Sequence, residues 1–276
     1  MIRAFVTGHP IAHSRSPLIH GHWLAEHGIS GSYERIDVPP ADFPAFLRGL
    51  PGSGFAGGNV TIPHKEAAFA LADTLTDRAQ RIGAVNTLVV GGDGRVHGDN
   101  TDAPGFCAHL DQSLGPAWPQ RGEAVILGAG GAARAIVVGL AERGVARIRV
   151  ANRTPARAEA VAALAPGIAQ PLAWDDLPAA LEGAGLLVNT TSLGMKGQPA
   201  LDIDLAPLPA GAAVADIVYA PLETDLLAAA RRRGLAAVDG LGMLLHQAVP
   251  GFAAWFGTRP EVTERLRDLI VADLRP

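Results

Sequence analysis

Of the 23 basic side chains in this 276-residue chain, all but Lys65 and Lys196 are arginines. Arginine keeps its proton at any working pH, whereas a lysine of lowered pKa can release one. A lysine in so arginine-rich a chain can mark a place where a proton must move. Lys65 closes the polar cluster Asn59-Val60-Thr61-Ile62-Pro63-His64-Lys65. Two further clusters surround it in sequence. One is Ser14-Arg15-Ser16-Pro17; the other is Gly83-Ala84-Val85-Asn86-Thr87, followed by Gly98-Asp99-Asn100-Thr101-Asp102. All three fall at loops or strand ends, where functional groups concentrate. Together they offer hydroxyls, amides, one ammonium and one carboxylate, a set suited to a neutral or anionic polyol. Plainer roles are compatible with this. Ser16 is expected to cap a helix with Pro17 at its first position, and Asp102 to cap one beginning at Ala103. His9, His13, His20 and His22 lie near one another in sequence without acidic or thiol partners. They are read as scattered surface or core histidines, and no metal is expected.

A second kind of chemistry is written at Gly128-Ala129-Gly130-Gly131-Ala132-Ala133. The apolar run Glu123 to Leu127 leads into it and a helical stretch leaves it, which places Gly128, Gly130 and Ala133 in a dinucleotide-binding pattern. Gly128 permits the tight turn, Gly130 lets backbone amides approach a pyrophosphate, and the helix N-terminus favours the anion. The next strand, Arg147 to Ala151, ends in Asn152-Arg153-Thr154-Pro155-Ala156-Arg157. A ribose diol is usually met there by Asp or Glu. This chain instead has guanidinium groups and a hydroxyl, which suit a 2′-phosphate and predict NADP as cofactor.

The elements that must position these groups alternate between short β-type runs and helical patterns, the mark of an α/β fold with a largely parallel sheet. Strands are predicted over 2–7, 33–38, 55–61, 87–90, 95–98, 123–127, 147–151, 186–189 and 213–217, with 87–90 and 95–98 forming a hairpin around Gly91-Gly92-Asp93-Gly94. Helices are predicted over 17–27, 41–50, 63–73, 76–82, 103–114, 132–143, 243–256 and 261–274. Gly115-Pro116-Ala117-Trp118-Pro119 reads as a connector between two halves. The length suits two domains, and net charge is -4, without the clustered cations of a nucleic-acid binder. The run Arg231 to Arg233 is expected to complement a helix C-terminus ahead of Gly234. Cys107 is the only cysteine, so neither an intrachain disulfide nor a cysteine zinc site can form. With no signal-peptide pattern and no apolar run of membrane length, a cytoplasmic setting is expected, with no membrane partner.

These motifs, in order, resemble the shikimate dehydrogenase family. The resemblance rests on Ser14-x-Ser16, Asn59-Val-Thr-x-Pro-x-Lys65, Gly83-Ala-Val-Asn-Thr87, Asn100-Thr-Asp102 and the glycine turn. It continues through Asn152-Arg-Thr154, Asn189-Thr-Thr-Ser-Leu-Gly-Met195, Asp216-Ile-Val-Tyr219 and Asp239-Gly-Leu-Gly-Met-Leu-x-x-Gln247. It implies NADP-dependent interconversion of 3-dehydroshikimate and shikimate in aromatic amino-acid and chorismate biosynthesis. It implies an N-terminal α/β substrate domain over 1–101, completed by C-terminal helices over 241–276, and a Rossmann-type NADP-binding domain over 102–240. Lys65 and Asp102 become the catalytic pair. Ser14, Ser16, Thr61, Asn86, Tyr219 and Gln247 become the substrate set. Gly128, Ala129, Gly130, Gly131, Ala132, Asn152, Arg153, Thr154, Arg157, Ile217, Gly240 and Asp77 become cofactor contacts. Monomer and homodimer both remain open. A quinate/shikimate dehydrogenase of the same superfamily is an alternative; Ser16, where the quinate type would carry Thr, and Arg153 count against it. A catalytically silent NADP(H)-binding regulator is the alternative outside enzymes, and retention of Lys65 and Asp102 counts against that.

Overall fold

The computed structural model describes residues 1–274, which form two compact units. The first comprises 1–101 and 245–274 of the described chain, and the second 102–244. The chain therefore leaves the first unit once and returns to it near its end.

The first unit contains β1 (Ile2–Gly8), α1 (Ser16–Glu26), β2 (Gly31–Asp37), α2 (Phe43–Gly49) and β3 (Gly57–Val60). Then come α3 (Lys65–Leu71), β4 (Thr74–Leu75), α4 (Asp77–Ile82), β5 (Thr87–Val90) and β6 (Val96–Asp99). Its six-stranded sheet runs β2-β1-β3-β5-β6-β4. In this sheet the expected largely parallel arrangement is interrupted at β5, where the expected hairpin lies. β1 is parallel to both neighbours, but β3–β5 and β5–β6 are antiparallel. The reason is local: Gly91-Gly92-Asp93-Gly94 makes a tight β5–β6 hairpin, which reverses the chain where a crossover helix would have preserved its direction. Phe5, Phe43, Leu47, Leu50, Val60, Val85 and Leu88 form an apolar core beside the sheet.

The second unit contains α5 (Asp102–Leu114), β7 (Glu123–Leu127), α6 (Gly131–Glu142), β8 (Ile148–Ala151), α7 (Pro155–Ala162) and β9 (Ala169–Leu172). It continues with α8 (Leu177–Leu181), β10 (Ala184–Asn189), β11 (Ala213–Asp216), α9 (Asp225–Arg232) and β12 (Ala236–Val238). All pairings in its sheet are parallel, in the order β12-β11-β10-β7-β8-β9. That is the doubly wound Rossmann order, with its reversal between β7 and β10. Alternation along β7 explains the two-sided burial. Ala124 and Ile126 enter one core with α5 and α6; Val125 and Leu127 enter the other with α8 and α9. A strand covered on both faces reads as an unbroken apolar run.

Of the C-terminal helices, α10 (Leu241–Phe256) starts in the second unit and ends in the first, and α11 (Glu264–Leu274) belongs to the first. Trp255 Nε1 donates to the Leu88 carbonyl at 2.8 Å. Gly57 admits this contact, because a Cβ there would lie 2.1 Å from the same carbonyl oxygen and 2.5 Å from Trp255 Nε1. Two turns back along the helix, Gln247 is thereby held in the first unit. As expected for the basic run, Arg231 and Arg232 occupy the last turn of α9, while Arg233 donates to the carbonyls of Leu205, Ala206 and Leu208. No helix among the described residues is long and apolar enough to cross a membrane.

Candidate functional site

In the first unit the candidate residues gather on loops that follow β1 and β3. The loop after β1 is held at several points. His9 N–H donates to the Ile62 carbonyl at 3.1 Å, and Ile11 N–H donates to Asp37 Oδ1 at 3.1 Å. Arg35 sends Nε and Nη2 to the Ser14 carbonyl at 3.0 and 2.7 Å. Ser16 is buried and does not cap α1. The cap position is Arg15, and Ser16 is the first helical residue with Pro17 second. The expected arrangement is thus displaced by one residue, and it is Ser14 Oγ that accepts from the Ser16 N–H, at 3.3 Å. The Ser16 hydroxyl is left for other partners.

After β3, Thr61 N–H donates to the Thr7 carbonyl at 2.9 Å. Lys65 opens α3 and is half-buried, and its carbonyl accepts from Val85 N–H at 3.0 Å. That bond ties the lysine to the segment bearing Asn86. Asn86 is buried, and its Oδ1 accepts from Thr87 Oγ1 (2.9 Å), Thr101 N–H (2.8 Å) and Thr101 Oγ1 (3.1 Å). Its Nδ2 donates to Gln247 Oε1 at 3.4 Å. The first unit therefore joins Asn86 directly to Gln247. Asp102 follows Thr101 in the chain and is itself the first residue of α5, one position earlier than expected for that helix. Asp77 also lies in the first unit, exposed on the opening turn of α4 behind the capping Thr76; the remaining expected cofactor residues belong to the second unit.

Two buried aromatic residues complete this part of the unit: Tyr33, which had no expected role, and His20, read as a surface or core histidine. His20 is fully buried and stacks on Tyr33, with centroids 4.0 Å apart and planes 12° off parallel. Burial pushes its pKa down to about 3, and the nearby Asn59 amide offsets only part of that. Among the described residues neither ring nitrogen has a hydrogen-bond partner, so the ring is a neutral, stacked core group. Tyr33 donates its hydroxyl proton to Asn59 Oδ1 at 2.6 Å, and burial raises the phenol pKa well above its usual value. Nothing local in the sequence points to Tyr33. Only the pairing of β2 with β1 and of β1 with β3 brings it toward Asn59.

The second unit assembles the glycine turn at the carboxyl end of β7. Gly128 has φ +100 and is buried. A Cβ there would stand 2.9 Å from both Thr190 Oγ1 and Thr191 Cγ2, so close approach and backbone conformation both require glycine. Gly130 is the cap residue of α6 and offers no side-chain cap. A Cβ on Gly130 or Gly131 would meet open space, and both residues are exposed, Ala132 half-buried and Ala133 buried. The first amides of a 12-residue helix thus open onto unfilled space beside the strand-order reversal. After β8, Arg153, Thr154 and Arg157 are exposed while Asn152, half-buried, donates Nδ2 to the Thr154 carbonyl at 3.0 Å. Among the described residues neither Arg153 nor Arg157 is engaged by a carboxylate. Uncapped amides and uncommitted guanidinium groups, with no acid at the ribose position, fit a dinucleotide carrying a 2′-phosphate.

Ile217 and Gly240 meet: a Cβ on Gly240 would lie 2.2 Å from the Ile217 carbonyl oxygen. The turn holding Ile217 and Tyr219 is fixed by buried Asp216, whose carboxylate accepts from Asn189 Nδ2 (3.0 Å), Val218 N–H (3.0 Å) and Thr224 Oγ1 (2.8 Å). Burial raises the Asp216 pKa, while these three donors pull it back. Tyr219 is half-buried and belongs to the second unit, whereas the other expected substrate residues belong to the first.

Comparison with known proteins extends over nearly the whole chain. Residues 6–88 match the family model described as shikimate dehydrogenase substrate binding domain, and residues 117–195 match that of shikimate / quinate 5-dehydrogenase. The shikimate dehydrogenase (NADP(+)) of Methylobacterium radiotolerans is 83% identical over 274 residues, covering 99% of this chain and 97% of its own. The enzyme of the same name from Methylocella silvestris is 59% identical over 273 residues, covering 99% and 96%. Among solved structures, shikimate 5-dehydrogenase from Thermus thermophilus in complex with NADP(H) and shikimate is 40% identical. It has a TM-score of 0.87 and covers 99% of this chain and 100% of that one. Quinate dehydrogenase from Corynebacterium glutamicum in complex with NAD is 32% identical, with a TM-score of 0.91 over 98% and 99%.

Proposed function

The chain belongs to the shikimate dehydrogenase family, and from that premise we propose that it is an NADP-dependent oxidoreductase interconverting 3-dehydroshikimate and shikimate. The observation that carries the reading is the match at 83% identity, joined to a cofactor loop with arginine where an NAD site would have an acid. When bound, NADPH supplies the hydride.

The residues of the chain then divide the work. Lys65 donates a proton from Nζ to the alkoxide oxygen as the carbonyl is reduced, and in the opposite direction takes it from the hydroxyl. Asp102 accepts a hydrogen bond from that hydroxyl and holds the ammonium in place. Ser14, Ser16 and Tyr219 bind the ring carboxylate, and Thr61, Asn86 and Gln247 bind ring hydroxyls. Gly128, Ala129, Gly130, Gly131 and Ala132 bring amides to the pyrophosphate. Asn152, Arg153, Thr154 and Arg157 surround the 2′-phosphate, with Ile217, Gly240 and Asp77 as further cofactor contacts. In this reading the enzyme works in the cytoplasm, as monomer or homodimer, in aromatic amino-acid and chorismate biosynthesis.

The test is NADPH absorbance followed with shikimate, quinate and their keto forms, each with both cofactors. Catalytic efficiency is expected to be highest for the shikimate couple with NADP(H). Faster turnover of quinate with NAD would replace this reading with the quinate type, and absence of turnover with every ring acid would favour a silent binding protein.

A further inference from the structure

Tyr33, Arg35 and Asp37 alternate along β2, an edge strand of the first unit's sheet, and therefore share one of its faces. They pair with Ala4, Val6 and Gly8 of β1, and the segment leading to α1 begins immediately after Gly8. Asp37, level with that exit, accepts from Ile11 N–H through Oδ1 at 3.1 Å, and its Oδ2 lies 3.1 Å from His9 Nδ1. Two positions back along β2, Arg35 Nε and Nη2 converge on a single main-chain oxygen, that of Ser14, at 3.0 and 2.7 Å. A guanidinium can only donate and a carbonyl only accept, so these bonds have one direction. Two positions further back, Tyr33 stacks on His20 of α1, and the Ser16 side chain partly offsets the upward pull of burial on its phenol. From Asp37 to Tyr33 the partners thus run from His9 and Ile11 through Ser14 to Ser16. The loop is laid back over this face of the strand in order.

We infer that this face of β2 is the template that shapes the loop carrying Ser14 and Ser16, with Arg35 and Asp37 as positioning residues for substrate recognition. The inference rests on the reading of the two serines as substrate contacts and deepens it by naming what places them. Ser14 N–H donates to the Ile11 carbonyl at 3.0 Å, and Ser14 Oγ accepts from Ser16 N–H. A shift of the Ser14 main chain therefore moves both serines. Two donors from one planar guanidinium restrain the direction of the Ser14 carbonyl as well as its distance, which a single ammonium does less well. The next residue of the loop is tied in a similar way. Arg15 donates from Nη1 to the His13 carbonyl at 2.8 Å and from Nε to Asp273 Oδ2 of α11 at 3.1 Å. Arg35 and Asp37 are themselves exposed, so their contribution lies in the shape of the loop and little in the core.

The experiment measures shikimate Kd by calorimetry without cofactor, KM and kcat, and hydrogen exchange of the peptide covering residues 9–16 in the unliganded protein. The variants are Arg35→Ala, Ser14→Ala, their double mutant, Asp37→Ala and Asp37→Asn, with folding checked by circular dichroism. Arg35→Ala is expected to raise the Kd and KM for shikimate about three- to tenfold, the scale of a lost hydrogen bond. Its kcat and its KM for NADP(H) are expected to stay within about twofold, while exchange in 9–16 quickens. Because Arg35 acts through Ser14, the double mutant is expected to lose clearly less than the product of the two single losses. Asp37→Ala is expected to raise Kd in the same sense. Asp37→Asn, whose amide oxygen can still accept from Ile11 N–H, is expected to recover most of that loss. Wild-type Kd in folded Arg35→Ala would overturn the inference, as would single losses that multiply fully in the double mutant, since Arg35 would then act on the substrate without Ser14. Equal losses for shikimate and NADP(H) would overturn it by showing general damage. Failure of the wild-type protein to bind shikimate would overturn the substrate reading instead, and unaltered exchange in Arg35→Ala would overturn the template by itself.

Discussion

The two units prepare their binding groups in opposite ways. In the first, the groups proposed for substrate recognition are held by hydrogen bonds within the protein: Asn86 takes three donors, and the Ser14 carbonyl takes two from Arg35. In the second, the groups proposed for the cofactor are main-chain amides at an uncapped helix end and exposed arginines that, among the described residues, meet no carboxylate. A substrate must be told from close relatives by the polarity of each group, which needs fixed side chains. A pyrophosphate needs only amides and room. Substitutions in the first unit should therefore couple affinity to stability, whereas those at the cofactor loop should alter affinity alone.

The largest effect expected departs from both patterns, because it removes the proposed proton donor rather than a proposed binding group. Lys65→Ala should lower turnover by roughly 10²–10⁴-fold, the range for a lost general acid–base. Lys65 opens α3 and is only half-buried, so the variant should fold and its shikimate Kd should change far less. Turnover near wild type would remove Lys65 from the chemistry.

Within the glycine turn two neighbours sharpen the contrast. Gly128→Ala places a Cβ against Thr190 and Thr191 at a positive φ, and should cost about 1–2 kcal/mol in backbone strain alone. Gly130→Ala puts its methyl into open space at φ -91, so melting should hardly move. Its NADP(H) affinity should nonetheless fall by about 1.5–3 kcal/mol if the methyl displaces a charged phosphate from an amide. Equal Tm losses in the two variants would show that Gly130 is packed, not open.

What could be read in advance follows the same division. The glycine turn is a local device: strand, turn and helix are contiguous, and β7 spans Glu123–Leu127 as the apolar run predicted. The arginine loop after β8 is equally local. The first unit is not. Its polar clusters were visible as residues and its β5–β6 hairpin was legible in Gly91-Gly92-Asp93-Gly94, but the antiparallel pairing of β5 with β3 was hidden, because it depends on which strands become neighbours. β4, β9 and β12 were missed as short or weakly patterned strands at or near sheet edges. Ser16 matched a capping pattern yet lies one residue inside the helix, because Ser14 Oγ takes the Ser16 N–H. Tyr33 and His20 carry no motif; their meaning arises only from strand order and stacking.

The buried histidine gives the first unit a pH signature opposite in sign to that of buried Asp216 in the second, whose raised pKa favours the folded state as pH falls. His20 has its pKa lowered to about 3 by burial, against about 6.5 in an unfolded chain. Between those values the unfolded state carries a proton that the native state refuses. The native advantage is therefore full above about pH 6.5 and is lost as pH falls toward 3, at about 1.4 kcal/mol per unit. His20→Phe keeps an aromatic ring against Tyr33 and removes the proton. Denaturant unfolding at pH 6 and 4.5 should give a stability difference about 2 kcal/mol smaller in the variant. Identical pH slopes would mean that His20 is protonated in the folded protein.

The smallest effect separates the units most cleanly. Arg153 is exposed and, among the described residues, has no ion pair or side-chain hydrogen bond. Removing it takes nothing from the folded protein, so Arg153→Ala should leave Tm unchanged, as surface substitutions without partners generally do. A bound 2′-phosphate, carrying up to two negative charges, would lose a bidentate donor. Hydrogen bonds to charged groups contribute about 1.5–3 kcal/mol, and solvent access to the guanidinium places the loss near the lower figure, about tenfold in affinity. NAD presents a ribose hydroxyl there and should bind as before. The ratio of kcat/KM with NADP to that with NAD should therefore fall about tenfold, and less at high salt, where exposed charges are screened. An unchanged ratio would transfer the preference to Thr154 or Arg157. A fall in Tm alongside it would mean that Arg153 is built into the fold in the way Arg35 is, and the division between a prearranged substrate side and an open cofactor side would fail at this position.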